Sequence, residues 1–325
     1  MTEQPTVVVL TDGTHPASTA GIEQIARVRY ATEDELADAL PGADVLFVWA
    51  FRSDAVAAAW PAADALRWVH TASAGVDRLL FPALLESDVV LTNSRGVFDR
   101  PMAEYVLGTV LTFAKDMHTT LRQQDERHWQ HRETERIEHK RALVVGTGPI
   151  GRAIARLLSA AGLRVAGAGR TARDGDADFG TVHASDDLAQ VVGDFDYVVL
   201  AAPLTDQTKD LVDADVLARF KPTARLVNVG RGELVVQDDL IAALQAGHLG
   251  GAALDVFESE PLPRSSPLWE MPNVLVSPHM SGDTVGWTDE LVELFQRMLG
   301  DYARGEALGN VVDKERGYVS GTERN

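Results

Sequence analysis

The chain has 325 residues, 45% hydrophobic and 24% charged, with a formal net charge of −18 and no cysteine. This size allows about two domains. The missing cysteines exclude disulfide and thiol chemistry, and the acidic balance repels free nucleic acid and anionic membranes. No apolar run reaches the ~18 residues of a membrane span, and Met1-Thr2-Glu3-Gln4-Pro5 has no basic region leading into an apolar stretch, so neither membrane insertion nor a secretory signal is expected and the cytoplasm is the expected location.

TVVVLTD (6–12) is a β-branched apolar run ended by Asp12-Gly13 and reads as a buried strand. IEQIARVRYA (22–31) mixes helix and strand character. TEDELADAL (32–40) reads as a helix opened by Thr32, with Glu35 completing a capping box. ADVLFVWA (43–50) is a second strand, LRWVHTASAGVDRL (66–79) a strand running into a small-residue turn, and VVLTNSRG (89–96) another strand. This alternation predicts a parallel sheet with helices on its faces. A long helix follows over 100–117, with Pro101 suited to its first turn. The charged stretch 118–140 reads as a surface helix and loop. Its His128, His131 and His139 share no ligand spacing with an acidic partner, so no metal is expected. A second α/β run spans 141 to about 280, and a last helix covers 288–305.

Gly146-Thr147-Gly148-Pro149-Ile150-Gly151 fits G-x-G-x-x-G between the strand RALVV and the helix IGRAIARLLSAAG. Those flanks give the pattern its meaning. The first glycine permits a tight turn, the second lets backbone approach a pyrophosphate, and the third allows close helix–strand packing. The next strand, GLRVAGAG (162–169), should end at the adenosine ribose, where an NAD site carries Asp or Glu. Here it ends in Gly169-Arg170-Thr171-Ala172-Arg173, with no acid before Asp174. Two arginines and a hydroxyl suit a 2′-phosphate, so NADPH is expected over NADH.

Three later strands end in polar groups: ARLVNVGRGELV (224–235) at Arg231, GGAALDVFESEPLP (250–263) at Asp255 with Glu258 and Glu260 beyond, and NVLVSPHMSG (273–282) before His279. In a parallel sheet the strand C-termini line the ligand crevice, so these groups are expected on one edge. An arginine, a carboxylate and a histidine suit hydride transfer to a carbonyl: arginine binds a carboxylate and polarises the keto oxygen, and a glutamate-oriented histidine supplies the proton. Arg52, in VWAFRSD, either reaches the substrate or stays on the surface.

GTGPIGRAIA, AAPLTDQTKDLV, FKPTARLVNVGRGELVVQDDLIAAL, GAALDVFESEPLP and PNVLVSPHMSG, with TASAGVDRL and NSRGVFDRPMAEYVLG upstream, occur in one order. With them the chain resembles the D-isomer-specific 2-hydroxyacid dehydrogenases along nearly its whole length. The resemblance implies two doubly wound α/β domains, Rossmann-like and flavodoxin-like, with a cleft between: residues 1–97 and 283–325 for substrate, 98–282 for the dinucleotide. The long helix near Pro101 would bridge them, and the two crossings would form a hinge. It implies reduction of 2-keto acids with Arg231, Glu260 and His279 as the catalytic trio, and Ser73, Ala74, Gly75 and Val76 as a backbone cradle for the substrate carboxylate. Along the cofactor it places Gly146 to Ile150, Gly169, Arg170, Thr171, Arg173, Ala202, Pro203, Leu204, Thr208, Val229, Gly230, Asp255, Ser281, Gly282 and Met102. It further implies a homodimer through the cofactor domain. Met280-Ser281-Gly282 departs from the smaller, more apolar sequence usual after the histidine. A cofactor-sensing corepressor on the same fold is the alternative, against which the intact Arg–Glu–His set argues.

Overall fold

The computed structural model describes residues 4–14, 16 and 19–319. The chain divides into two compact units, residues 1–97 with 284–325, and residues 98–283.

The first unit contains β1 (Thr6–Leu10), α1 (Ala20–Ile25), β2 (Arg27–Ala31), α2 (Leu36–Ala39), β3 (Val45–Val48), α3 (Ala55–Ala59), β4 (Trp68–Thr71), α4 (Pro82–Leu85) and β5 (Val90–Asn93). Its parallel sheet has the order β2-β1-β3-β4-β5. That is a flavodoxin-like order with its switch point between β1 and β3. β1, β3 and β4 are buried along their whole length. This explains why they read as continuous apolar runs rather than alternating ones.

The first regular helix of the 32–40 stretch begins at Leu36, not after Thr32, and its N-cap position is Glu35. Glu35 Oε2 still reaches back to the amide and hydroxyl of Thr32 at 3.0 and 2.9 Å. Half of the expected capping box therefore forms, around a turn rather than around a helical first turn.

The second unit opens with α5 (Asp99–Ala114) and α6 (Met117–Asp125). The single helix expected over 100–117 is broken because Asp116 adopts φ 48°, outside the helical region. Then follow β6 (Arg141–Val145), α7 (Pro149–Ala160), β7 (Arg164–Gly169), β8 (Arg173–Asp176), β9 (Gly180–Ala184), α8 (Leu188–Val191), β10 (Tyr197–Leu200), α9 (Ala214–Leu217), β11 (Arg225–Asn228), α10 (Gln237–Ala246), β12 (Gly251–Leu254) and β13 (Val274–Val276). The sheet order is β13-β12-β11-β10-β6-β7-β9-β8, parallel except for the β8–β9 hairpin. The chain winds outward from β6 to one edge, returns to β10, and winds to the other. The switch point therefore lies between β6 and β10. The last helix, α11 (Trp287–Ala303), belongs to the first unit. No helix among the described residues is long and apolar enough to cross a membrane.

Candidate active site

One row of backbone partners organises the second unit. Val145, Leu200, Asn228, Leu254 and Val276 lie in register across five neighbouring strands, and Ala168 extends the row on the other side of Val145. One to three residues past that row come Gly146, Gly169, Ala201, Arg231, Asp255 and His279. Arg231 lies three residues beyond the end of β11, on a short 3₁₀ turn, and Asp255 is the residue immediately after β12. The strands thus stop short of the polar groups, which sit on the loops of the crevice edge.

The three glycines of the turn differ in what surrounds them. Gly146 adopts φ 110°, and a Cβ there would lie 2.6 Å from the carbonyl carbon of Ala201. A Cβ on Gly151 would lie 1.8 Å from Gly146 O. Both positions therefore exclude a side chain because of the protein's own backbone. Gly148 differs: it is extended (φ −76°, ψ −174°) at the N-cap of α7, and a Cβ there meets nothing within 4 Å. With no side chain at the N-cap, the first-turn amides of a twelve-residue helix face an open approach. Pro149 follows as the first helical residue, and Thr147 packs against Gly167 and Gly169. Arg170 and Thr171 are exposed past the end of β7. Arg173 opens β8 and gives its Nε and Nη2 to Asp176 Oδ2 at 3.0 and 2.7 Å.

His279 adopts φ 55°, a left-handed conformation uncommon for a residue with a side chain. The surrounding hydrogen bonds explain how it is held. Its amide donates to Asp255 O at 2.8 Å. The Asp255 carboxylate, fully buried, accepts from Ser277 Oγ at 2.6 Å, from the Met280 amide at 2.9 Å and from the Ser281 amide at 2.9 Å. Tyr105, on α5, meets the Ser277 hydroxyl in turn, and burial raises its phenol above the ordinary range. Asp255 therefore acts as a buried anchor around which the 277–281 loop wraps. His279 Nδ1 lies 2.8 Å from Glu260 Oε2, and Glu260 Oε1 accepts the amide of Phe257 at 3.1 Å. The imidazole is about a third exposed, at 32%. Glu258, the neighbouring acid, instead accepts the amide of Gln237.

The Arg231 loop is stapled by Asn228, whose Nδ2 donates to Arg231 O at 2.8 Å and whose Oδ1 accepts Gly230 N at 3.1 Å. A Cβ on Gly232 would lie 1.8 Å from the backbone of Phe257. The Arg231 turn therefore touches the segment that carries Glu260. Pro203, Leu204 and Thr208 share one loop after β10, where the Thr208 hydroxyl donates to Pro203 O at 2.6 Å and accepts the Thr205 amide. Ala202 and Val229 are buried. Met102 on α5 lies beside Gly282. Asn228, Ser277 and Tyr105 escaped the sequence reading. Each is a single polar residue in an apolar setting, with no spacing pattern to mark it.

In the first unit, Ser73–Val76 follow β4. Ser73 O accepts Ser94 N at 2.9 Å, Ala74 O accepts Asn93 Nδ2 at 2.6 Å, and Gly75 O accepts Ser73 Oγ at 2.6 Å. In a trans peptide the N–H points opposite to the C=O, so the amides of Ala74, Gly75 and Val76 are fixed facing away from those donors. Beneath this loop, His70 is fully buried. Trp68 Nε1 donates to Thr92 Oγ1 at 2.7 Å, and Thr92 Oγ1 meets His70 Nδ1 at 2.8 Å. Ser94 Oγ donates to Thr71 O at 2.9 Å and lies 3.3 Å from His70 Nε2. Because the Ser94 proton is committed, His70 must donate from Nε2 and accept at Nδ1, which fixes a neutral tautomer. Arg52 is exposed after β3, its guanidinium carbon 5.9 Å from the Phe51 ring centroid.

Fold and site define a protein of two parallel α/β units, one of them of dinucleotide-binding type. Residues 107–281 match the family description "D-isomer specific 2-hydroxyacid dehydrogenase, NAD binding domain". An uncharacterized protein in the proB 3′ region of Corynebacterium melassecola is 32% identical over 265 residues, 78% of this chain and 84% of that one. The structure of a D-isomer specific 2-hydroxyacid dehydrogenase from Xanthobacter autotrophicus Py2, in complex with NADPH and MES, is 31% identical with a TM-score of 0.83. The match covers 97% of this chain and 100% of that one. An NADPH-dependent glyoxylate/hydroxypyruvate reductase from Sinorhizobium meliloti, in complex with NADP and sulfate, is 27% identical with a TM-score of 0.83, covering 97% and 100%. A D-3-phosphoglycerate dehydrogenase of Methanocaldococcus jannaschii, 27% identical over 314 residues, is longer: the match takes in 94% of this chain and 59% of that protein. The chain belongs to the D-isomer specific 2-hydroxyacid dehydrogenase family.

Proposed function

We propose that this protein reduces 2-keto acids to D-2-hydroxy acids, with NADPH preferred over NADH. The observation that carries the reading is the 2.8 Å contact of His279 Nδ1 with Glu260 Oε2, on the same sheet edge as the Gly146–Gly151 turn. With Nδ1 turned to the carboxylate, Nε2 is the nitrogen that gives its proton to the keto oxygen. Arg231 binds the substrate carboxylate and polarises the carbonyl. The amides of Ala74, Gly75 and Val76 hold the carboxylate as well, and Arg52 meets the rest of the substrate. A nicotinamide cofactor, when bound, supplies the hydride. Gly146 to Ile150 would hold its pyrophosphate. Gly169, Arg170, Thr171 and Arg173 would hold its adenosine end, and Ala202, Pro203, Leu204, Thr208, Val229, Gly230, Met102, Asp255, Ser281 and Gly282 would line the rest.

NADPH preference is supported by the missing acid at the end of β7 and by two relatives whose structures contain NADPH or NADP. The domain boundaries read from the sequence, the cytoplasmic location and homodimerisation through the cofactor unit belong to the same reading.

The test is a steady-state panel of glyoxylate, pyruvate, phenylpyruvate and 2-ketoisocaproate with each cofactor. The expected result is turnover with a higher kcat/KM for NADPH. Tight cofactor binding without turnover of any of the four would refute the reading and favour a sensor.

A further inference from the structure

At the edge of the second unit's sheet opposite to His279, five charged side chains form a cluster, of which the proposed function uses only Arg173. Asp176, at the end of β8, sits at its centre. Arg173 grips Oδ2 from one side by Nε and Nη2. From the other side Arg152, in the first turns of α7, gives Nη1 to Oδ1 at 2.9 Å and Nη2 to Oδ2 at 3.0 Å. Arg152 Nη1 also reaches Asp178 Oδ2 at 2.8 Å, and Arg156 lies 3.4 Å from Asp178. The amides of Asp178 and Phe179 donate to Asp176 Oδ1 at 3.1 and 3.4 Å. The Arg152 fork, seconded by Arg173, holds the Asp176 carboxyl well below the ordinary carboxylate range.

The layering decides what an incoming anion meets. The Asp176 side chain is 5% exposed, Arg152 27% and Arg173 38%. The negative charge lies underneath and the guanidinium lies on top. Three arginines against two aspartates leave the cluster positive. Asp176 occupies the Nε/Nη2 edge of Arg173 and Nη1 donates to Thr171 O at 3.4 Å, so an anion would meet the remaining N–H groups of the guanidinium, with the arm already held in one conformation. That arm follows directly on Gly169-Arg170-Thr171. Through Arg152 the same carboxylate ties it to the helix that begins at the glycine turn.

We propose that Asp176 is a positioning residue for cofactor discrimination, holding Arg173 in place to receive the ribose 2′-phosphate. A flexible arginine loses rotamer freedom when it captures a phosphate, and one already clamped does not. This inference rests on the NADPH reading above.

Calorimetric titration of the full-length protein with adenosine 2′,5′-bisphosphate and with 5′-AMP tests it without turnover. The wild-type protein is expected to bind the bisphosphate more tightly. Asp176→Asn should weaken bisphosphate binding about tenfold and leave 5′-AMP within twofold. The double variant Arg173→Ala with Asp176→Asn should lose no more than Arg173→Ala alone, because Asp176 acts through Arg173. If the wild-type protein does not distinguish the two nucleotides, the NADPH reading itself fails. If it does, and Asp176→Asn keeps or strengthens the preference, the inference is overturned and the reading stands. Parallel loss of both nucleotides also overturns it, since Asp176 would then serve only the fold.

Discussion

Lowering the pH should destabilise the first unit through one buried histidine. His70 is packed among Phe47, Trp68 and Phe295, with ring centroids 5.6, 6.0 and 5.4 Å away, and its two nitrogens meet only hydroxyl groups. Burial pushes its pKa from 6.5 down to about 3. Between those values the unfolded chain binds a proton that the folded chain refuses. Stability is therefore complete above about pH 7 and falls as the pH drops through 6.5 toward 3. At 1.36 kcal/mol per pH unit, the loss from this group alone is about 2 kcal/mol at pH 5 and about 3 kcal/mol at pH 4. Urea unfolding followed by tryptophan fluorescence at pH 7.5 and 5.0 measures it, since Trp68 lies against the ring. The many carboxylates also titrate, so the informative quantity is a difference. His70→Gln should be less stable at neutral pH, yet lose about 2 kcal/mol less than wild type on going to pH 5. Parallel pH dependences in the two proteins would refute the argument.

Other substitutions separate the parts of the site. His279→Ala should lower kcat by ~10²–10⁴-fold, the usual contribution of a positioned acid, with cofactor affinity measured by fluorescence titration nearly unchanged. Gly148→Ala should fold normally and lose nucleotide affinity, because its methyl group enters the open space before α7. Gly151→Ala should lose thermal stability instead, because its methyl group overlaps Gly146 O. Scanning calorimetry and nucleotide titration of both variants check the contrast. Ser277→Ala deprives the buried Asp255 of a charge-assisted hydrogen bond and should cost ~1.5–3 kcal/mol in chemical denaturation. Arg170→Ala should raise KM for NADPH and leave KM for NADH little changed.

The glycine turn was legible because its constraints are steric: at Gly146 and Gly151 the backbone leaves no room for a side chain. The tips of β11, β12 and β13 were legible because an ionisable residue soon after an apolar strand is conspicuous. The β8–β9 hairpin was not, since RDGD is a polar edge strand without alternation and shows no strand signal. The break between α5 and α6 was hidden for a related reason. Asp116 leaves the helical region while Arg132, 2.5 Å away, and His118 hold its carboxylate, and these partners come from a charged stretch that reads as a surface helix and loop without marking either contact. Asn228 and Ser277 position the functional loops through contacts with backbone or with a buried acid, which depend on register rather than composition.

The first unit takes its central aromatic from the far end of the sequence. Phe295, on α11, stacks 4.0 Å from Phe47 and 5.3 Å from Trp68. During translation at ~5–20 residues per second, roughly ten to forty seconds separate the emergence of β5 from that of α11. For that interval the nascent five-stranded sheet lacks the ring that stacks on Phe47 and Trp68, whereas the cofactor unit, encoded without interruption, is complete before α11 emerges. A nascent chain released before α11 would therefore carry a finished nucleotide-binding half beside a half with an open aromatic face, a natural substrate for chaperones.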